Sequence, residues 1–217
     1  MKISKRLLTI AEMVDENGKV IDIGCDHALL DIYLTNHGIK CTASDINENA
    51  LNIAKQNIEK HNLKDKIETV LSDGLEKIDV KNNHILIISG MGANTIDHIL
   101  SNNKVDLINK IIIQSNNDLY YLRKMMIKKG FYLFDEKVIY EKNKYYVIIY
   151  FKRGYYKYSD IELYIGPFVI LKRQKIDINY LKYIYEKENF KYKKIPLKQL
   201  KNKIKQYRFV KKIKGYI

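Results

Sequence analysis

The sequence predicts an α/β fold: a doubly wound, mostly parallel sheet of seven strands, followed by a C-terminal antiparallel helical hairpin of the coiled-coil type. Three observations carry this prediction. Short apolar runs alternate with segments whose apolar residues recur at helical spacing. The runs are continuously apolar, as expected of parallel strands that are covered on both faces. After residue 154 the chain becomes strongly basic.

The elements follow in chain order. An amphipathic helix is predicted within residues 1–14, where apolar side chains follow helical spacing. Five parallel strands are predicted at 20–23, 41–44, 67–71, 85–89 and 111–114, with helices at 28–37, 47–61 and 118–128. Two further strands, 132–140 and 145–151, are joined by the polar turn 141–144 and predict an antiparallel hairpin at the sheet edge.

The C-terminal region is predicted to be helical. Gly166-Pro167 marks a break followed by a helix start, because proline is tolerated in the first turn. We expect one long helix over 168–189, a basic turn over 191–196 and a second helix over 197–214. Two helices joined by a short loop should pack antiparallel. We therefore divide the chain into a domain at 1–154 and an appendage at 155–217.

The charge of the chain is concentrated in that appendage. Residues 155–217 hold 17 Lys and Arg against 5 Asp and Glu, so they carry +12 of the total +14 and leave +2 for the rest. Tyrosines are interleaved with the lysines. A solvated helix face would explain one such cluster, but this excess favours a polyanion-binding surface, and nucleic acid above all.

Composition also limits the class of protein. The sequence has no apolar run near the ~20 residues that a membrane-spanning helix needs, so we expect no membrane partner. Cys25 and Cys41 are its only cysteines, and no histidine spacing accompanies them that would make a zinc site. We expect no metal, a reduced cytoplasmic setting and a monomer.

The most informative motif is a glycine loop after the first strand. Gly24-Cys25-Asp26-His27 leads into a helix, and the second strand ends at Asp45, 21 residues after Gly24. This is the layout of a nucleoside-cofactor site, in which the carboxylate accepts hydrogen bonds from ribose hydroxyls. Asp26 occupies the place of a second glycine and disfavours a pyrophosphate, hence a nicotinamide cofactor, because like charges would meet. It suits a cationic ligand such as S-adenosylmethionine.

Three further loops follow predicted strands, where ligands bind in open α/β sheets. Asp73, followed by Gly74, could accept a hydrogen bond from an adenine amino group or serve in an ordinary turn. The glycines of Ser89-Gly90-Met91-Gly92 would let the backbone approach a planar ligand or relieve a crowded helix entry. The amides of Gln114-Ser115-Asn116 could read a base edge or cap the next helix. His27 could contact ligand or be structural, and Arg6 could bind a cofactor carboxylate or be a surface cation.

These motifs occur together in the order and spacing of one family. Asp22-Ile23-Gly24-Cys25-Asp26-His27-Ala28, Ala43-Ser44-Asp45-Ile46-Asn47, Asp73-Gly74-Leu75, Ser89-Gly90-Met91-Gly92, Gln114-Ser115-Asn116 and Gly166-Pro167 resemble the bacterial tRNA (adenine-22-N1)-methyltransferases over nearly the whole chain. The chain departs from that pattern at Leu29, Asp31, Ala93 and Ser115.

The resemblance implies a seven-stranded methyltransferase sheet, tRNA as partner and methyl transfer from S-adenosyl-L-methionine to N1 of an adenine in the D-arm. We expect Asp26 and Asn116 to be catalytic, because an acceptor near the adenine amino group would stabilise developing positive charge. The expected cofactor-binding residues are Arg6, Gly24, Cys25, Asp26, His27, Asp45, Ile46, Asp73, Gly74 and Gly90.

Two alternatives stay open from the sequence. The first is another S-adenosylmethionine-dependent methyltransferase acting on RNA, DNA or protein. The Asp/Asn-Pro-Pro-Tyr/Phe tetrapeptide is missing after the fourth strand, which argues against methylation of an exocyclic amino group. The second is a non-catalytic RNA-binding protein, against which the set Gly24, Asp45 and Asp73 argues.

Overall fold

The computed structural model describes residues 3–15 and 18–217, so the first two residues of the predicted N-terminal helix lie outside it. Its strands are β1 (Lys19–Ile23), β2 (Lys40–Asp45), β3 (Ile67–Leu71), β4 (His84–Met91), β5 (Lys110–Ser115), β6 (Phe131–Glu141) and β7 (Lys144–Arg153). They form one sheet in the order β3-β2-β1-β4-β5-β7-β6. β1 to β5 are parallel, and β7 runs antiparallel to β5 and β6. The predicted fold class is confirmed.

Helices cover both faces of the sheet and form the C-terminal region. Within the described ranges they are α1 (Lys5–Ala11), α2 (Leu29–Asn36), α3 (Glu48–Lys60), α4 (Ala93–Ile99), α5 (Leu119–Lys128), α6 (Asp160–Ile165), α7 (Pro167–Lys172), α8 (Lys175–Lys194) and α9 (Leu200–Lys214). None of these helices has the length and apolar character that crossing a membrane requires. The same residues contain no group of three or more metal-ligating side chains that could hold an ion.

The central strands are buried on both faces because successive side chains point to opposite sides of a sheet. One apolar cluster takes the odd positions of β1 and the other takes its even position: Ile21 and Ile23 lie on one face, and Val20 lies on the other. β4 divides in the same way between Leu86 with Ile88 and Ile85 with Ile87. Continuous apolar runs therefore reflect two covered faces, as the sequence predicts.

The prediction of one long helix over 168–189 is wrong. α7 ends at Lys172, Arg173 adopts a left-handed backbone conformation with φ of 48°, and α8 begins at Lys175. The backbone N–H of Gln174 donates to the buried Asp177 carboxylate at 3.0 Å, which restarts the helix. α8 then runs to Lys194, through most of the predicted basic turn. α6 was not predicted; Ser159 and Glu162 form a capping box at its start.

α8 and α9 form the predicted antiparallel pair. The side chain of Gln206 donates to the backbone oxygen of Glu188 at 3.2 Å, and Lys203 donates to the backbone oxygen of Ile195 at 2.9 Å. The higher-numbered residue on α9 therefore pairs with the lower-numbered residue on the other side, which is the pattern of antiparallel helices. We call α8, the turn and α9 the basic hairpin.

A buried ion pair joins the C-terminal region to the sheet. Arg123 of α5 and Glu136 of β6 are 2.7 Å apart, and both side chains are fully buried. Arg123 also donates to the backbone oxygen of Leu163 at 2.9 Å, while Glu136 accepts from the N–H of Phe168 at 3.2 Å. Gly166 has a φ of 116°, and a Cβ there would lie 2.8 Å from Glu136 Oε2. The Gly166-Pro167 motif is therefore the joint at which the chain crosses this ion pair.

The basic hairpin and the sheet share one hydrophobic core. Ile165 and Val169 pack in the same apolar cluster as strands β4, β5 and β7, and so do Leu181 of α8 and Ile213 of α9. Removing residues 155–217 would uncover this apolar surface and the Arg123–Glu136 pair. The role of residues 155–217 is therefore better tested by surface substitutions than by truncation.

Candidate active site

The glycine loop turns sharply at the carboxyl end of β1. Gly24 has a φ of +77°, so the backbone favours glycine here, and a Cβ on it would lie 2.3 Å from Cε of Met91, whose side chain would have to move. The N–H groups of Gly24 and Cys25 donate to the backbone oxygen of Ser44, at 2.8 and 3.0 Å. The loop is thereby fixed to the end of β2, next to Asp45.

Two residues without the freedom of glycine are held in the left-handed region in this loop. Asp26 has a φ of 50° and Ala28 a φ of 53°, a conformation that costs free energy and persists where the surrounding contacts hold it. Hydrogen bonds hold the loop: the N–H of Asp26 donates to Asp45 Oδ2 at 3.2 Å, and Asn57 donates to the carbonyl of His27 at 3.0 Å.

Asp45 is oriented by backbone N–H groups on both sides. Its Oδ1 accepts from the N–H of Asn47 at 2.9 Å, and its Oδ2 accepts from Asp26. A carboxylate oxygen has a second lone pair, so Asp45 can still accept hydrogen bonds from a diol. The next side chain, Ile46, is 66% exposed, an apolar surface beside that carboxylate.

The glycine loop borders a cavity of 340 Å³, which we call the glycine cavity. It brings together six of the predicted cofactor residues, from α1, the glycine loop and the end of β4: Arg6, Gly24, Cys25, Asp26, His27 and Gly90. The Asp26 side chain is 71% exposed, with His27 Nε2 at 3.6 Å from its Oδ2. Cys25 is buried, which raises the pKa of its thiol, so its part in the loop is through the backbone.

Asp73 and Gly74 are not in the wall of the glycine cavity. They line a separate cavity of 90 Å³ that also includes His98, whose Nε2 lies 4.0 Å from Asp73 Oδ2. The two places are connected along the sheet edge, because the N–H of Ser72 donates to the backbone oxygen of Asp45 at 3.1 Å. Asp45 thus stands between the glycine cavity and Asp73.

Gln114 organises the other side of the glycine cavity. Its side chain is fully buried, and its Oε1 accepts from Arg6 Nη1 at 2.6 Å and from the N–H of Gly90 at 3.1 Å. Its Nε2 donates to Asn116 Oδ1 at 3.1 Å, and Asn116 Nδ2 donates to the carbonyl of Gly90 at 2.5 Å. Gln114 therefore fixes Arg6, Gly90 and Asn116 relative to one another. Asp118 caps α5 by accepting from the N–H of Tyr121, which leaves Asn116 free of that task.

Sequence reasoning missed a pair of buried acids below the glycine loop. Asp22 of β1 lines the cavity and is buried beside Asp31 of α2, with which it can share a proton. Burial, opposed by the Asp31 hydrogen bond and Arg6 and assisted by Asp45, raises the pKa of Asp22 to about 7. Burial and the neighbouring Asp22 raise the pKa of Asp31 well above its usual range. The sequence feature that could have revealed this pair is Asp22, an acid inside an otherwise apolar strand.

The doubly wound sheet and the glycine loop at its switch point define a class. A family model described as a methyltransferase domain matches residues 3–149, so the fold and the site are those of a methyltransferase domain. The tRNA (adenine(22)-N(1))-methyltransferase of Bacillus subtilis (strain 168) is 32% identical over 203 residues, which cover 86% of this chain and 85% of the relative. The chain belongs to the tRNA (adenine(22)-N(1))-methyltransferase family, and the resemblance seen in its motifs is confirmed.

Two solved structures extend this similarity to the whole chain. M. capricolum TrmK, in complex with S-adenosyl-homocysteine, is 31% identical with a TM-score of 0.84, and the match covers 100% of this chain and 98% of that one. A Streptococcus pneumoniae protein in complex with S-adenosyl-L-methionine is 28% identical with a TM-score of 0.88, and the match covers 99% of both chains.

Proposed function

We propose that this protein transfers a methyl group from S-adenosyl-L-methionine to N1 of an adenine in the D-arm of tRNA, at position 22. The observation that carries the proposal is the match along most of the chain to a relative named for that reaction. The acidic glycine cavity and the basic hairpin are the features that the reaction needs. The position of the adenine comes from the family alone.

The residues of the glycine cavity fit this cofactor. Gly24 has no side chain at the turn, where a Cβ would displace the end of Met91. Asp26 offers its exposed carboxylate to an ammonium group, Asp22 can lose its proton beside that group because its pKa is about 7, and Arg6 offers a guanidinium to a carboxylate in the same cavity. Asp45 would accept from the ribose hydroxyls, Ile46 would cover the adenine ring, and Asp73 with Gly74 would meet its amino group.

The chain needs to do little chemistry beyond positioning. When bound, the cofactor supplies an electrophilic sulfonium methyl group. N1 of adenine carries a lone pair, so holding it in line and excluding water lowers most of the barrier. Methylation makes the adenine cationic until its amino group loses a proton. Asn116 Oδ1, whose orientation Gln114 holds, and the exposed carboxylate of Asp26 are the acceptors that would stabilise this charge.

The basic hairpin would bind the tRNA backbone. Four cations of α9 lie at helical spacing along one groove of 880 Å³ between α9 and helices α5 and α6; we call them the α9 stripe, and they are Lys201, Lys205, Arg208 and Lys212. We propose that residues 1–154 bind the cofactor and that residues 155–217 bind tRNA. Free Cys25 and Cys41 suit the reducing cytoplasm, where tRNA is modified, and we propose that the protein acts there as a monomer.

The test is methylation of purified tRNA with isotopically labelled cofactor, followed by mass spectrometry of the nucleosides. We expect 1-methyladenosine, formed in intact tRNA and absent when the adenine at position 22 is replaced by guanine. N6-methyladenosine, or label on protein, would overturn the proposal and favour another methyltransferase activity.

A further inference from the structure

A second cavity, of 440 Å³, lies against the catalytic candidate Asn116. Its walls come from the loop after β5, from the starts of α5 and β7, from α6 and from α8 of the basic hairpin. Asn116 belongs to this wall and donates to the carbonyl of Gly90, which belongs to the wall of the glycine cavity. Asn116 and Gly90 thus connect the two cavities.

Five tyrosines line this second cavity, which we call the tyrosine cavity, and three of them pack against one another: Tyr145, Tyr180 and Tyr183. The ring of Tyr145 lies 5.4 Å from that of Tyr180 and 5.2 Å from that of Tyr183, between centroids. Tyr180 and Tyr183 occupy one face of α8, and the Tyr183 side chain is 47% exposed. In the described part of the chain none of these three hydroxyls has a hydrogen-bond partner, and none is a buried unpaired atom, so each is open to water or to a ligand.

Cations surround the aromatic surface. Lys187 and Lys191 follow Tyr183 at one-turn intervals on α8, and Lys144 adjoins Tyr145 on β7; all three line the cavity. Aromatic faces for stacking combined with ammonium groups for phosphate are the chemistry that binds an unpaired nucleotide. Within the described residues Lys191 is paired with Glu188 Oε1 at 2.6 Å, whereas Lys187 and Lys144 have no ion-pair partner and can meet a phosphate.

We infer that the tyrosine cavity receives the target adenine after it leaves its stack, with the base against Tyr183 and Tyr145 and its pairing edge toward Asn116. N1 lies on the pairing edge, so the base must be extruded before a methyl group can reach it. A base in this cavity meets Asn116 on the side of Gly90, where the glycine cavity begins. This inference rests on the proposed function, and it assigns a positioning role to residues of the basic hairpin itself.

The test compares Tyr183→Ala with Tyr183→Phe and with Phe190→Ala. Phe190 is also exposed on α8 but does not line the cavity, so it is the matched control. Tyr183→Ala should lower the single-turnover rate at saturating tRNA by about 10- to 100-fold, the scale of one lost base–aromatic stack. Tyr183→Phe should keep the rate within about threefold, because its ring still stacks. tRNA affinity and thermal unfolding should change little in all three.

A second measurement does not depend on methyl transfer. With 2-aminopurine in place of the target adenine, the wild-type protein should change the fluorescence of the base, and Tyr183→Ala should abolish that change while Phe190→Ala keeps it. If Tyr183→Ala reduces only tRNA affinity, the cavity holds a neighbouring nucleotide and the inference is wrong. It is also wrong if Tyr183→Ala methylates at the wild-type rate. A wild-type protein that forms no 1-methyladenosine would instead refute the proposed function.

Discussion

Replacing Asp31 by Asn should change how the stability of this protein depends on pH. Asp31 and Asp22 are buried together below the glycine loop, and both have a raised pKa in the folded state, that of Asp22 to about 7. In the unfolded chain an aspartate has a pKa near 3.9. The folded protein therefore keeps protons that the unfolded chain releases. Their contribution to stability is complete below about pH 4 and is lost as the pH rises through the folded pKa values.

The size of the effect follows from linkage. Each retained proton makes the free energy of unfolding fall by about 1.4 kcal/mol per pH unit. Asn cannot titrate, and its amide can donate to Asp22, so Asp31→Asn removes at least one retained proton. Between pH 5 and pH 7 the wild type should therefore lose about 3 kcal/mol more stability than the variant, and the variant should be the more stable protein at pH 8.

The assay is urea unfolding followed by circular dichroism at pH 5, 6, 7 and 8. Asp65→Asn is the control, because Asp65 is an exposed acid and its replacement should leave the pH dependence as in the wild type. Parallel curves for wild type and Asp31→Asn over this range would refute the reasoning, since they would mean that Asp31 is ionised in the folded state.

Three further predictions concern the cofactor, the RNA and the joint. Asp45→Ala should weaken S-adenosylmethionine binding by about 2–3 kcal/mol, the scale of hydrogen bonds to a charged group; calorimetric affinity equal to the wild type in a folded variant would contradict the assignment. Changing the α9 stripe to Glu should weaken tRNA binding and lower the salt slope by about 0.9 for each lost phosphate contact on duplex, whereas the same change at Lys182, Lys193, Lys211 and Lys214 should do less; equal effects would mean that only net charge matters. Gly166→Ala should cost about 1–3 kcal/mol for backbone strain plus the clash with Glu136. Gly38→Ala, with a φ of +86° and nothing within 4 Å of a new Cβ, should show the strain alone, and equal destabilisation of the two variants in thermal unfolding would refute the clash.

The strands were predictable because their signal is local. The parallel strands have continuous apolar runs, and the structure adds only one to three residues in all to each run that it extends. The break between α7 and α8 was not predictable in this way, because Arg173 and Gln174 are ordinary helix residues. The left-handed Arg173 is accompanied by a contact distant in sequence, from its guanidinium to the carbonyl of Tyr216 at 2.9 Å.

In the candidate site, too, local sequence signals were predictable and roles that depend on distant contacts were not. In this fold the loop after the first strand lies beside the end of the second strand. The sequence therefore predicts that Gly24 and Asp26 lie close to Asp45. The roles of Gln114 and Asp31 depend on burial, which is set by how α1 and α2 pack on the sheet. From the sequence alone, an amide at a strand end predicts a ligand contact. The structure shows that the Gln114 amide instead faces inward and binds Arg6.

The core that the basic hairpin shares with the sheet limits how far the hairpin can move relative to the glycine cavity. Ile165, Leu181 and Ile213 are packed with the strands, and Arg123 and Glu136 clamp the joint. That core therefore holds the span from the α9 stripe to Gly90 at the Ile213 end of α9. An RNA that bridges this span has to match it in length, and any adjustment falls on the RNA. Substrates would then be sorted by the distance between a backbone and one extruded base, before any base edge is read.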